Sequence, residues 1–295
     1  MQCILVTLYC FEPHLPQNFA VGFSVFPQLL QAEDVSFFSA GFLATYLLSY
    51  SSSSSLAGFG VPDPLFSANK APTAPPPIAT TTLSEDDQII NSLDQEQINF
   101  FRGSEKDVLT RYYECAKFYS LDVIVRITSD CPLIDPEIVD QLIKKFLEGN
   151  CDFVSAGFPR TFPQGSADIE VFSFKTLEKV WLEAKKSSDR EHVCTYIYNN
   201  PEKFKIKKVP NTSNYSNFKW SVDRENDLKF VKEIVKRIPQ RPILTDYILN
   251  LLKNEPELID INKNFIFEEG YKKSIKEDEK LGFTNSNKNN NNILK

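Results

Sequence analysis

Histidine is scarce, and no two cysteines form a C-x-x-C pair. The histidines are His14 and His192; the cysteines are Cys3, Cys10, Cys115, Cys131, Cys151 and Cys194. A structural zinc site needs closely spaced ligand pairs, so this spacing argues against one. At 295 residues the chain is long for a disulfide scaffold, and reduced thiols in a cytoplasmic protein are expected. The net charge of −6 gives no electrostatic drive toward nucleic acid. Basic residues are almost absent from the first part of the chain: Lys70 is the sole Lys or Arg among residues 1–77, and no arginine precedes Arg102. Met1 therefore does not open a signal peptide with a positive n-region. The uncharged apolar run Val35–Tyr50 is about 16 residues, shorter than the roughly 20 a membrane-spanning helix needs. Basic flanks that would orient such a helix are missing, so no membrane association is expected.

What is present is unevenly distributed. Residues 1–77 hold five of the 72 charged residues and nine of the 18 prolines. From Ser51 to Pro77 the composition is Ser-, Ala- and Pro-rich, as in an extended linker. Residues 285–292 are Asn-rich, a composition typical of disorder. Three parts follow: an atypical apolar, Ser/Pro-rich leader over 1–77, a domain over 78–283 and a tail over 284–295. With 42% hydrophobic and 24% charged residues overall, the chain can bury a sizeable core. The leader offers no periodic face, so a chain starting at Ile78 is expected to fold as well as the whole.

Within 78–283 the pattern alternates between short β-branched runs and amphipathic stretches. Residues 107–119 place Val108, Leu109, Tyr112, Ala116 and Tyr119 on one helical face. Leu121–Thr128 reads as a strand. Asp135-Pro136 supplies an N-cap and a first-turn proline to a helix ending near Gly149. Asp152–Ala156 reads as a strand, Ser173–Lys186 as a helix, and His192–Tyr198 continues helically. Phe204–Val209 and Phe218–Val222 read as strands; Glu225–Ile238 and Leu244–Lys253 read as helices. Such alternation predicts an α/β sheet with helices on both faces, which binds ligands beyond the carboxyl ends of its strands.

Two carboxylates follow strand-like runs: Asp130 in T-S-D-C-P and Asp223 in S-V-D-R-E. They can converge on one Mg²⁺, which takes one or two carboxylates plus phosphate oxygens and water, or each can simply cap the next helix. Arg102-Gly103-Ser104 precedes the helix carrying Asp107 and Arg111; it can present N–H groups to an anion or act as an ordinary cap. Asp168 and Glu170 alternate with Ile169 and Val171, which puts both carboxylates on one side of a strand or on a solvated face. Arg190 and His192 open a helix, where His192 is a base, a phosphate contact or a structural histidine.

Seven segments in this order resemble the spore coat polysaccharide biosynthesis protein F-like cytidylyltransferase family, relatives of the enzymes that make CMP-activated acidic sugars. They are I-A-T-T-T (78–82), R-G-S-E-K-D-V-L-T-R-Y-Y (102–113), V-R-I-T-S-D-C-P-L-I-D-P-E (125–137), D-I-E-V-F-S-F (168–174), R-E-H-V (190–193), K-W-S-V-D-R-E-N-D-L (219–228) and E-E-G-Y-K-K-S (268–274). The resemblance implies a nucleotide-diphosphosugar-transferase-like α/β fold with a mixed sheet. It implies transfer of CMP from CTP to a sugar, with Mg²⁺ as cofactor and homodimerisation left open. It assigns Asp130 and Asp223 to the metal, Arg102, Ser104, Asp107 and Arg111 to the nucleotide and substrate pocket, and Asp168, Glu170, Arg190 and His192 to the sugar side. The family's opening strand and its cationic loop, A-R-x-x-S-x-R-x-P-x-K, have no counterpart before Ile78, unless residues 1–10 replace the strand. Ser129 stands for a usual glycine, and G-S-A-D-I-E is one residue longer than the usual G-L-D-V-E. Without the loop's cations, impaired catalysis is expected. The alternative is a non-catalytic remnant serving as a binding or interaction module.

Overall fold

The structure, a computed structural model, describes residues 4–9, 77–95, 97–157, 159–265 and 269–283. Seven strands form one mixed sheet: β1 (Ile4–Tyr9), β2 (Ile78–Thr81), β3 (Phe100–Gly103), β4 (Val123–Thr128), β5 (Phe153–Ser155), β6 (Ile169–Ser173) and β7 (Ile206–Lys208), in the order β3-β2-β1-β4-β6-β5-β7. β2 runs parallel to β3 and β5 parallel to β7, whereas β1 and β6 are antiparallel to their neighbours. The carboxyl ends of β2, β3, β4, β5 and β7 therefore share one edge of the sheet with the start of β6.

The strands form where β-branched side chains alternate between two buried layers. Val123, Val125 and Ile127 of β4 face one cluster, with Ile169 and Val171 of β6. Ile124 faces the other, with Phe153 and Phe172. The first layer is covered by α1 (Asp87–Gln95) and α3 (Pro136–Leu147), the second by α2 (Val108–Phe118), α4 (Phe174–Glu183) and α6 (Thr195–Asn199), with α5 (Ser187–His192) packed against α2. Cap chemistry sets the helix starts. Asp107 accepts from the Thr110 N–H at 2.9 Å, Asp135 from Glu137 at 2.9 Å and Ser173 from Thr176 at 3.1 Å. A third cluster joins Leu133 and Trp220 to α7 (Glu225–Arg237) and α8 (Thr245–Asn254).

Two sequence expectations are corrected. Phe218–Val222 is not a strand; Lys219 makes a lone bridge to Gln164. The segment bends because the buried Lys219 ammonium must reach acceptors at Ser221 O and Asp227. His192–Tyr198 is not one helix either. Val193, at φ +60° and ψ −60°, separates α5 from α6, and the Cys194 N–H bonds back to the His192 carbonyl at 2.6 Å. This three-residue turn is strained for a β-branched residue. A further helix, α9 (Glu269–Lys280), docks on α5 through buried polar groups: Asp278 accepts from the Ser188 N–H at 3.1 Å and hydroxyl at 2.5 Å.

Ile4–Tyr9 takes the place left open for residues 1–10 as a replacement for the opening strand. β1 lies between β2 and β4, with Ile4 opposite Thr128 and Tyr9 opposite Val123. Val35–Tyr50, the Ser/Pro-rich linker up to residue 76 and the Asn-rich tail lie outside the described residues. Among the described residues no helix is long and apolar enough to cross a membrane. Deleting residues 1–77 should leave β2 and β4 with unpaired edges. At about 1 kcal/mol net per hydrogen bond, the loss should be about 3 kcal/mol or more. Urea unfolding of the chain starting at Ile78 checks this; an unchanged midpoint would show that β1 is dispensable.

Candidate active site

Three carboxylates meet at the sheet edge where β4 ends and β6 begins. Asp130 sits in the loop after β4, Asp168 just ahead of β6 and Asp223 just ahead of α7. The Val222 N–H donates to the Asp130 carbonyl at 2.7 Å, which fastens the two loops together. Burial pushes the Asp130 carboxyl above its ordinary range, and the charges of Asp223 and Asp168 push it further, against a hydrogen bond from Thr128. The three groups thus share one neighbourhood, although they are 38 and 55 residues apart in sequence.

Each carboxylate is held by a partner. Lys219 Nζ lies 2.9 Å from Asp223 and 2.5 Å from Asp227, with 4% of its side chain exposed against 50% for Asp223. Asp227 also accepts the N–H groups of Asp223 at 3.1 Å and Arg224 at 3.0 Å, and Asn262 at 3.0 Å. It thereby satisfies the start of α7. Arg160 binds Asp168 at 2.6 Å, and Asp168 also accepts the Gly165 N–H. Gly165 has φ +91°, and a Cβ there would lie 2.4 Å from Ser221 N; the close backbone approach of the two loops requires glycine. Arg126 and Glu170, directly opposite in β4 and β6, pair at 2.8 Å. The Arg126 guanidinium lies 5.9 Å from the Tyr112 ring. The Tyr198 hydroxyl donates to Ser155 Oγ at 2.7 Å at the end of β5.

The remaining candidates fall in other groups. Arg102 donates to the carbonyls of Thr81 at 2.8 Å and Leu83 at 2.7 Å and pairs with Asp87 at 2.8 Å. Ser104 Oγ accepts from the Asp107 N–H at 3.0 Å. Arg111 is fully buried and donates to the Ser104 carbonyl. Burial pulls the nearby Asp86 carboxyl upward, but hydrogen bonds from Thr80 and Thr81, with a smaller contribution from the Arg111 charge, hold it below the usual carboxylate range. These residues fix the turns after β2 and β3. Asp107 and Arg190 bind each other, Arg190 Nη2 reaching Asp107 Oδ2 at 2.6 Å, Thr110 Oγ1 at 2.5 Å and its Nη1 the Trp181 carbonyl at 2.8 Å. That set ties α5 to α2. His192 bonds to Ser274 of α9 at 2.9 Å. Burial lowers its pKa and the Arg126 charge adds to this, while Glu191 and Asp278 pull the other way.

Sequence reasoning missed Arg126, Arg160 and Lys219. For Arg126 a signal existed, since opposite charges at facing positions of adjacent strands stabilise each other. The i,i+4 spacing of Lys219 and Asp223 was a weaker one. Among the described residues no group of three or more His, Cys, Asp or Glu side chains is arranged to hold a metal ion. The chemistry of the donor set still fits Mg²⁺, which needs only one or two carboxylates beside substrate oxygens, and a cation would relieve the repulsion felt by Asp130.

The sequence profile of a family described as cytidylyltransferase matches residues 68–277. The chain belongs to that family. It is 39% identical over 189 residues to an uncharacterised protein of Methanocaldococcus jannaschii, an alignment covering 63% of this chain and 76% of the other. It is 25% identical over 183 residues to the spore coat polysaccharide biosynthesis protein SpsF of Bacillus subtilis, covering 61% of this chain and 75% of that one. A solved structure of a cytidylyltransferase from Leptospira borgpetersenii superposes with a TM-score of 0.59 at 32% identity, over 63% of this chain and 78% of that one. The mixed α/β sheet is thus the nucleotide-sugar-transferase-like fold of this cytidylyltransferase family.

Two outcomes test the scaffold around the carboxylates. Lys219→Met should destabilise the chain by about 3–5 kcal/mol, because it strands Asp227 as a buried unpaired charge; denaturant unfolding measures it. Asp189, in α5, is 4% exposed. Burial pushes its carboxyl up to about 6, the Asp278 charge adds to this, and Lys186 and Asn199 oppose it. With the folded pKa above the unfolded one, the stability cost of ionising Asp189 is absent below about pH 4 and complete above about pH 6. Asp189→Asn should therefore raise the melting midpoint at pH 7.5, by up to about 3 kcal/mol in stability, and give no gain at pH 4.

Proposed function

We propose that this cytidylyltransferase-family chain binds CTP with Mg²⁺ and transfers CMP to a sugar hydroxyl. The observation that carries the reading is the meeting of Asp130, Asp168 and Asp223 at the carboxyl edge of the sheet, where the Val222 N–H binds the Asp130 carbonyl and where burial, then the charges of Asp223 and Asp168, raise the Asp130 carboxyl. In the step, a sugar oxygen bonds to the α-phosphorus of CTP and the bond to the β-phosphate bridging oxygen breaks. Pyrophosphate leaves with that electron pair, and the hydroxyl proton passes to water. Such transfers need positioning and charge neutralisation rather than covalent help. Asp130 and Asp223 would hold Mg²⁺, which when bound neutralises phosphate charge. Lys219 fixes the Asp223 carboxylate from below. Asp168 and Glu170, each held by an arginine, would orient the sugar by accepting its hydroxyl protons. The SpsF relative's name, which refers to polysaccharide biosynthesis, supports a sugar acceptor. Buried, unlinked Cys115, Cys131 and Cys194 suit a cytoplasmic setting.

A second reading, nucleotide binding without turnover, is favoured by one observation. β1 ends at Tyr9, opposite Val123, at the edge away from Asp130. The carboxyl end of β1 thus lies away from the carboxylates, and no arginine precedes Arg102 in the sequence. Both readings predict that Asp130→Asn and Asp223→Asn each weaken Mg²⁺-dependent CTP binding at least tenfold in calorimetry, with unchanged circular dichroism. Parent-like binding by both variants would refute the metal assignment. Pyrophosphate release separates the two readings, since only the transferase produces it.

A further inference from the structure

Two sequence segments 80 residues apart meet beside α5. R-E-H-V (190–193) closes α5, and E-E-G-Y-K-K-S (268–274) runs into α9. Ser274 joins them. Its Oγ lies 2.9 Å from His192 Nε2 and 3.1 Å from the Gly270 carbonyl oxygen, and it also bonds to the Glu191 carboxylate. The Tyr271 ring stands edge-on to the imidazole, with 5.5 Å between centroids.

Counting protons in this cluster fixes the state of the imidazole. The Glu191 carboxylate and the Gly270 carbonyl only accept, and Ser274 has one hydroxyl proton to give them. Ser274 is 2% exposed, so solvent is not at hand to supply another. A lone pair on His192 Nε2 would leave three acceptors around that one proton. Nε2 therefore donates to Ser274, and the lone pair resides on Nδ1. Among the described residues Nδ1 has no hydrogen-bond partner, and 21% of the His192 side chain is exposed. One ring nitrogen is committed and the other is available.

The ring is also close to the Arg126–Glu170 pair. Val193 and Cys194, which follow His192, lie in the same buried cluster as Tyr112, and the Arg126 guanidinium is 5.9 Å from the Tyr112 ring. The charges acting on the imidazole come from three elements: Glu191 in α5, Asp278 in α9 and Arg126 in β4. Burial, with Arg126, outweighs the two carboxylates and lowers the His192 pKa, which keeps Nδ1 unprotonated at neutral pH.

We propose that Ser274, backed by Glu191, is a positioning residue for the acceptor site: it locks His192 as the Nε2–H tautomer, and Nδ1 accepts a hydrogen bond from a sugar hydroxyl. The nature of that ligand rests on the transferase reading above. In this role α9 is a working part of the site as well as a cover for α5.

The chain has two histidines, so His14→Gln leaves His192 as the single imidazole in a nitrogen-15 NMR spectrum. At neutral pH the full-length His14→Gln chain should show a predominantly Nε2–H imidazole; an Nδ1–H tautomer overturns the proposal. Glucose, N-acetylglucosamine, glucuronate and N-acetylneuraminate are then added in turn, with Mg²⁺ and the α,β-methylene analogue of CTP, which cannot donate CMP. A sugar that binds should shift the Nδ1 resonance. A bound sugar that leaves it unmoved overturns the proposal, as does failure of all four to bind. Ser274→Ala should mix the tautomers and weaken the bound sugar about fivefold, the worth of one neutral hydrogen bond, with CTP binding unchanged. Ser274→Thr, which keeps the hydroxyl, should restore both. Unchanged sugar affinity in Ser274→Ala, or equal loss of sugar and CTP binding, assigns Ser274 to packing alone. The measurements on the chain with native Ser274 stay decisive if Ser274→Ala does not fold. Calorimetry of CTP with Mg²⁺ on the same sample separates the two claims. CTP binding without a sugar response defeats this inference alone, whereas absence of CTP binding defeats the transferase reading and the ligand assigned to Nδ1 with it.

Discussion

The buried ammonium of Lys219 is the constraint on which the site's architecture depends. A lysine at 4% exposure must have its charge met, and here Asp227 and Asp223 meet it from the start of α7. The same Asp227 takes the first N–H groups of that helix and the Asn262 amide, while Asn262 also donates to the Lys219 carbonyl at 2.9 Å. One charge therefore fixes the helix start, the loop ahead of it and the stretch near residue 262. Asp223 is placed as a by-product, and Val222 then reaches the Asp130 carbonyl. The carboxylate cluster is rigid because it is attached to a network that folding itself requires.

Much of the fold could be read in the sequence. The β4 run V-I-V-R-I-T, the Asp135-Pro136 start of α3 and the amphipathic α7 all form as their local patterns demand. The two helices depend on caps and apolar spacing within a few residues, and β4 on a β-branched run that fits a buried strand, so the local signal was sufficient. The errors share a different cause. Phe218–Val222 has strand-like composition, but the burial of Lys219 overrides it. His192–Tyr198 was expected to continue a helix, but Val193 adopts a conformation that no propensity for valine anticipates. Polar α9 gave no apolar stripe to read, because it docks through Ser274 and Asp278.

For the site, the legible part was the position of single aspartates at strand ends. Their partners were less so. Arg126 meets Glu170 only because β4 and β6 are neighbours in this register, and Arg160 meets Asp168 only because the intervening loop folds back. Asp107 and Arg190, which the resemblance placed around substrate, bind each other across 83 residues. Recognising a family from collinear motifs identifies which residues recur together. It does not separate those that touch a ligand from those that hold the scaffold.

The placement of β1 bears on how the chain reaches its native state. β2 and β3 lie on one side of it and β4, β6, β5 and β7 on the other, so Ile4–Tyr9 is the hydrogen-bonded link between a two-stranded and a four-stranded portion. Its partner Val123–Thr128 is more than 110 residues downstream. During synthesis Ile4–Tyr9 can meet β2 once Thr81 is made, but its six-residue ladder with β4 must wait until Thr128 has emerged. Pairings that close such long loops form slowly, and until this one closes, the inner edges of both portions stay open to other chains. The sheet's weakest moment is therefore a kinetic one, set by the order in which the ribosome delivers its strands.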